Sequence, residues 1–333
     1  MDLTLISAAV IAFGVLMYVV LDGFDLGVGI LFPWMPDKAA QDLAVHSIEP
    51  VWDGNETWLI LGGAVLFAAF PKAYAVALSA LYMPVMLLLF ALIFRGVAFE
   101  FRLKARGTRR FWDAAFYIGS TVAAFAQGAL LGALLEGVTV SEGEFSGHVL
   151  DWLTPFTVIS GLGVVGGYAL LGATWLNMKS TGTLQAWSQG AARVSLLITV
   201  LFLAVVSIYT PMKFPAVAER WFGGMHWLML SPIPLCTGIV TLSLWRELTR
   251  SDRMPFFYAV SLFLLGYLGI GISLWPNIVP PSMSLWDAAA PPASQQFLLV
   301  AVALALPMVL IYTAYAYWVF RGKSEQGAGY GQH

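Results

Sequence analysis

An all-α, multi-pass membrane fold is what this 333-residue chain predicts, on three observations. Hydrophobic residues make up 59% of it and charged residues 11%, with a mean hydropathy of +0.79, far outside the soluble globular range. The apolar residues are gathered into nine runs, most of them near the 20 or so residues that a bilayer crossing takes. Lys and Arg are shared unequally among the loops between these runs, as in chains with a fixed sidedness.

The runs cover residues 3–32, 51–70, 73–98, 112–135, 152–177, 191–210, 223–245, 255–275 and 296–320, and no linker or internal repeat divides them. They are read as a single membrane domain over 1–333. A net charge of −2 gives no footing for a nucleic-acid partner. The one cysteine, Cys236, can form neither an internal disulfide nor a cysteine-rich metal site.

Segment 1 is apolar from Leu3 to Leu21 and then reads DGFDLGVGILF, which puts Asp22 and Asp25 on one helical face near a membrane boundary. No basic stretch precedes the segment and no small-residue cleavage site follows it, so it is read as a retained helix. Segment 2 is settled by length. The run TWLILGGAVLFAAF is only 14 residues and stops at Pro71-Lys72, too short to cross. Its helix must reach back to about Val51, carrying Asp53, Asn55 and Glu56 into its first turns. Acids inside a span are costly and are kept for a purpose, and the i, i+3 spacing sets Asp53 and Glu56 on a common face.

Segment 3 leaves the membrane at FRGVAFEFRLK, with Glu100 among Arg95, Arg102 and Lys104. In the later segments Gly119, Gly128, Gly132 and the glycines from 161 to 167 allow close helix contact. Pro84, Pro232, Pro234 and Pro307 are expected to bend their segments or mark irregular turns. The outer stretch 276–295 is rich in Pro and Ser yet carries Leu285 and Trp286, which suits an ordered surface loop.

Orientation follows from the basic residues. Lys38, Arg95, Arg102, Lys104, Arg106, Arg109, Arg110, Lys179, Arg193, Arg246, Arg250, Arg253, Arg321 and Lys323 fall on one side, and Lys72, Lys213 and Arg220 on the other. The N-terminus is therefore expected outside (periplasmic) and the C-terminus in the cytoplasm. On that orientation five carboxylates from three segments gather on the cytoplasmic side: Asp22, Asp25, Asp53, Glu56 and Glu100. Buried acids can take up and pass on protons. Interfacial charges paired with nearby Arg, or capping helix ends, are the plainer account of Asp22 and Glu56 and an equal alternative for Asp25 and Glu100.

A haem held inside a helix bundle needs two axial side chains. His46, His148, His226 and His333 all fall in loops, segment ends or the tail, so no haem ligand and no metal site is expected in this chain. Redox chemistry would belong to a partner.

The stretches LDGFDLGVGIL (21–31), PVWDGNETWLILGGAVLFAAFPKAYA (50–75), FRGVAFEFR (94–102) and SLWDAAAPPASQ (284–295) resemble subunit II of the bacterial cytochrome bd-type quinol oxidases. The resemblance implies two four-helix bundles plus a peripheral ninth helix, in the bacterial inner membrane. It implies a partner, subunit I, that carries haem b and haem d, or b-type haems alone, together with the quinol site. It implies cytoplasmic proton uptake through Asp53, Glu100 and Lys104, with Asp25 in the same region and Trp58 near an oxygen path; Glu56, one turn on from Asp53, is a further candidate on its spacing alone. Lipid, a structural quinone and small single-helix subunits are further partners that such complexes accommodate. The short stretch 211–222 points to the cyanide-insensitive branch. Two other readings are a proton-coupled secondary transporter, disfavoured because the acids lie at one boundary and no repeat is visible, and a purely structural membrane subunit.

Overall fold

The computed structural model describes residues 2–105 and 107–324, and the side chain of Leu103 is left aside. Arg106 and His333 lie outside the described residues. The chain is almost wholly helical: α1 (Leu3–Leu31), α2 (Lys38–Ile48), α3 (Trp52–Ala69), α4 (Pro71–Lys104), α5 (Arg109–Glu136), α6 (Pro155–Lys179), α7 (Gly182–Lys213), α8 (Pro215–Phe222), α9 (His226–Leu230), α10 (Pro232–Glu247), α11 (Met254–Leu274), α12 (Leu285–Ala288) and α13 (Pro292–Val319). Two small antiparallel hairpins, β1 (Val140–Ser141) with β2 (Glu144–Phe145) and β3 (Asn277–Val279) with β4 (Met283–Ser284), close connecting loops.

Among the described residues, eight helical stretches are long and apolar enough to cross a membrane. They match the predicted segments except for 51–70, where α3 forms but has acids in its opening turns. The length argument holds for α3: its first residue is Trp52, and Asp53, Asn55 and Glu56 are helical. Its stop is also as expected, since Ala69 ends it and Pro71 opens α4.

Helix α1 is the hub, packing on α3, α5 and α6 and more lightly on α11 and α13. Neighbouring pairs are α4 with α5, α6 with α7, α10 with α11, and α11 with α6. Glycine sets the closest of these approaches. A methyl on Gly27 would stand 1.9 Å from the Tyr168 carbonyl oxygen, and one on Gly172 would stand 2.3 Å from the Gly27 carbonyl carbon. Backbone therefore meets backbone where α1 crosses α6, the small-residue contact that stands in for hydrophobic driving force in lipid.

Several boundaries differ from expectation. Helix α4 runs on to Lys104, so Arg95 is not a loop charge but a fully buried residue inside the helix. It drops out of the count used for orientation. The helix bends at Leu81, which leaves helical geometry (φ −114°, ψ 17°) three residues before Pro84, because proline removes a helical donor and clashes with the preceding turn. The segment 223–245 divides into α9 and α10 at Ser231, an irregular turn of the kind expected at Pro232 and Pro234, which open α10. Helix α2 went unforeseen, its amphipathic period hidden in a short polar connection. The 276–295 loop is ordered, with the Trp286 indole donating to Asp2 at 3.0 Å and the Ala290 amide to the Ala69 carbonyl at 2.8 Å.

Candidate functional site: a buried acid layer

The i, i+3 spacing on α1 delivers Asp22 and Asp25 to the interior, both fully buried. Asp22 Oδ1 accepts a 2.9 Å hydrogen bond from Arg95 Nη1. The guanidinium lies 5.7 Å from the ring centre of Trp52, which stacks on Phe99 at 5.1 Å. Arg95 lies outside the expected proton path, and it is the only charged partner among the described residues hydrogen-bonded to either α1 acid.

Asp25 is held differently. Its Oδ2 accepts from Asn55 Nδ2 at 2.6 Å. The same amide nitrogen reaches the Leu21 carbonyl at 3.3 Å, and Asn55 Oδ1 accepts from the Tyr317 hydroxyl at 2.9 Å. One turn before Asp22, Tyr18 accepts from Gln127 Nε2 at 2.9 Å, and Tyr168 donates to Gln127 Oε1 at 2.6 Å. A polar layer thus joins α1, α3, α4, α5, α6 and α13. Several of its atoms are buried without a partner: Asp22 Oδ2, Asp25 Oδ1, and Arg95 Nε and Nη2. Such atoms are rare in packed interiors and mark polar ligands or functional strain.

The other expected residues sit at the edge of this layer. Asp53 and Glu100 are exposed on the surface of the chain, as is Lys104, while Glu56 is half-buried. The contact of Trp52 with Gly96 and Phe99 ties the start of α3 to the last turns of α4, which brings Asp53 and Glu100 to one flank. Asp53, Glu56, Glu100 and Lys104 form no ion pair with described residues. The five expected carboxylates are therefore split between an interior pair and a surface set, with Glu56 between them. Trp58 is fully buried, edge-on to Phe13 at 5.7 Å, and its indole nitrogen has no partner.

Sequence reasoning missed Arg95 as a partner, Asn55 as the bridge, and Tyr317 altogether. Asn55 had a signal, an amide within the acidic turns of α3. Tyr317 lies 262 residues away from it and had none.

Beside the layer is a clamp on α2, α4 and α5. Arg102, itself buried, donates to Asp42 at 2.7 Å and to Asp113 at 2.6 Å, and Arg109 also bonds Asp42. Burial pushes the Asp42 carboxyl up, but its bonds to Arg109 and Arg102 outweigh this and hold it below the usual aspartate value.

No group of three or more His, Cys, Asp or Glu side chains suited to a metal ion occurs among the described residues. The His46 ring bonds Glu49 at 3.0 Å, His148 lies in a loop, and His226 is the first residue of α9. Among the described residues these three histidines thus lie on separate elements, α2, the 146–154 connection and α9.

Long apolar helices packed around an interior acid layer define a polytopic membrane protein. The comparisons are narrower. The family model of cytochrome bd terminal oxidase subunit II matches residues 3–320. The cytochrome bd-I ubiquinol oxidase subunit 2 of Escherichia coli K12 is 31% identical over 353 residues, covering 93% of this chain and 92% of that one. The cytochrome bd ubiquinol oxidase subunit 2 of Bacillus subtilis is 29% identical over 96% of this chain and 95% of its own. The structure of bd oxidase from Geobacillus thermodenitrificans contains a chain that superposes with a TM-score of 0.81 at 16% identity, over 96% of this chain and 99% of that one. The chain belongs to the cytochrome bd terminal oxidase subunit II family. It is accordingly a subunit of a quinol:oxygen oxidoreductase complex, whose haem and whose partner subunit I follow from the family.

Proposed function

We propose that this chain is the haem-free subunit of its oxidase and carries protons from the cytoplasm toward the oxygen-reducing centre of subunit I. It forms a single membrane domain of nine crossings in the bacterial inner membrane, with α3 as the crossing that hydropathy alone does not find. Its N-terminus is periplasmic and its C-terminus cytoplasmic. Helices α1, α3, α4 and α5 form one four-helix bundle, α6, α7, α10 and α11 the other, and α13 stands at the periphery, with α6 joining the two bundles by packing on α1 and α5 as well as on α7 and α11. Subunit I supplies the haems and the quinol site, and haem there supplies the oxygen chemistry. Small subunits, lipid and a structural quinone are compatible additions.

One observation carries the proposal. A single turn of α3 connects a surface acid, Asp53, to Asn55, whose amide holds the buried Asp25. Exposed acids within a membrane helix are costly against lipid, and a covering partner subunit relieves that cost. Glu100 and Lys104 collect protons at the inner edge, Asp53 receives them, and Glu56 on α3 and Asp25 on α1 lie inward. Each step between acids moves a proton from a carboxylic acid to a carboxylate, directly or through water, and returns the donor to its charged form, while Lys104 gives a proton as its ammonium and regains one from the cytoplasm. Trp58, buried against Phe13, belongs to the apolar wall of an oxygen route.

The test is Asp53→Asn in the purified two-subunit complex. Turnover should fall at least about tenfold, equivalent to about 1.4 kcal/mol of barrier, with the haem spectrum intact and Asp53→Glu restoring much of the rate. Unchanged oxygen consumption and membrane-potential generation in a normally assembled Asp53→Asn complex would remove Asp53 from the route.

A further inference from the structure

We propose that Tyr317 on α13 is a positioning residue for the acid layer, fixing the amide of Asn55 so that Asp25 is left with one free oxygen. The inference rests on the proton-carrying reading of Asp25 and adds a residue and a helix to it.

A carboxamide has a donating and an accepting end, and which end faces which neighbour is set by the neighbours. The Leu21 carbonyl, 3.3 Å from Asn55 Nδ2, can only accept. That contact directs the NH2 group toward α1 whether Asp25 is charged or neutral. Asn55 Oδ1 then points the other way, where the Tyr317 hydroxyl donates to it at 2.9 Å. With both ends engaged the amide cannot turn, and its NH2 group presents a 2.6 Å bond to Asp25 Oδ2.

The consequence falls on the other oxygen. Asp25 Oδ1 is buried with no partner, so a proton arriving at Asp25 is directed to that atom. The charged and titratable groups that bear on it are Asp22 from its own helix, Glu56 from α3 and Arg95 from α4, with Tyr317 facing it from α13. None of the carboxylates or the arginine is hydrogen-bonded to Asp25, which leaves the Asn55 amide as its only hydrogen-bonded side chain among the described residues.

Tyr317 also stands at an opening. A crevice of about 10 Å³ between α13 and the start of α3 is lined by Pro50, Val51, Gly54, Asn55, Ala316 and Tyr317, roughly the room one water needs. Tyr317 and the amide it bonds thus border the same crevice. From α13 the Tyr317 hydroxyl turns inward onto the amide of the WDGN stretch.

The experiment uses the complete oxidase with subunit I, in three variants: Tyr317→Phe, Asn55→Leu and Asp25→Asn. Haem content reports assembly. Redox-induced infrared difference spectra report the carboxyl band of Asp25, identified by its disappearance in Asp25→Asn, and oxygen consumption is followed against pH. In Tyr317→Phe the Asp25 band should move to higher wavenumber, because its carbonyl loses a fixed donor, and the half-maximal pH should be displaced by about one unit. Asn55→Leu should give the same displacement, which keeps the test decisive where Tyr317→Phe does not assemble. If Asp25→Asn leaves the pH profile untouched, the carrier role of Asp25 fails. If Asp25→Asn alters the profile while Tyr317→Phe, or in its place Asn55→Leu, leaves band and profile unmoved, the positioning role fails and the carrier role stands.

Discussion

Removing the Arg95 guanidinium is expected to damage this protein more than removing the ion pair as a whole. Asp22 and Arg95 meet at 2.9 Å with their side chains 1% exposed on both sides. At an effective dielectric of about 20, that separation corresponds to an attraction of about 6 kcal/mol. Taking both ions out of water costs several kcal/mol each, so the pair as a unit is close to neutral for stability. Arg95→Met upsets the balance, because Asp22 then stays buried without a cation and with Asp25 one turn away. The expected loss is about 3–5 kcal/mol. The double variant Asp22→Asn, Arg95→Met should recover at least half of it, and the mutant cycle measures the coupling directly. Thermal denaturation of the detergent-solubilised complex, followed through its haem absorbance, provides the readout. An Arg95→Met complex as stable as the parent, or a double variant no better than the single one, would refute the account of Arg95 as the buried counter-ion of Asp22.

Two further outcomes concern packing and pH. Gly27→Ala places a methyl 1.9 Å from the Tyr168 carbonyl oxygen, so α1 and α6 must separate and the yield of assembled complex should collapse, whereas Gly266→Ala, with nothing within 4 Å, should leave yield unchanged. Asp42 is held below the ordinary aspartate value, so its stabilisation is complete above about pH 3.9 and disappears as pH falls through the lower folded-state value. Asp42→Asn should therefore cost about 1 kcal/mol or less at pH 7, since its side chain is 48% exposed and the pair is screened. That difference from the parent should shrink as unfolding is measured at progressively lower pH below about 4.

Helix α3 was legible because the constraint on it is one of arithmetic. A run of 14 apolar residues cannot cross a bilayer, and the shortfall forces Asp53, Asn55 and Glu56 into the helix. The glycines of α5 and α6 were legible for a similar reason, since small residues in apolar helices mark close contact. Arg95 was misread because FRG before a basic stretch looks like the end of a crossing. Only the 34-residue length of α4 moves it inside. Asp22 then finds it 73 residues away in sequence, a pairing to which local pattern has no access.

The sequence by itself determined that the chain crosses a membrane repeatedly, where most of its helices lie, and which acids would be unusual there. These follow from composition and run length, because the cost of placing a residue in lipid depends chiefly on that residue and its close neighbours. The tertiary structure alone decided which acids are interior, which are exposed and what each one touches. Asp25 and Asp53 read alike as acids in helical spans, yet one is sealed between Asn55 and its own helix and the other faces outward. Hydrogen bonds and ion pairs act over a few ångströms in space, and the partners that fix this layer, Arg95 on α4 and Tyr317 on α13, reach it only when the helices pack.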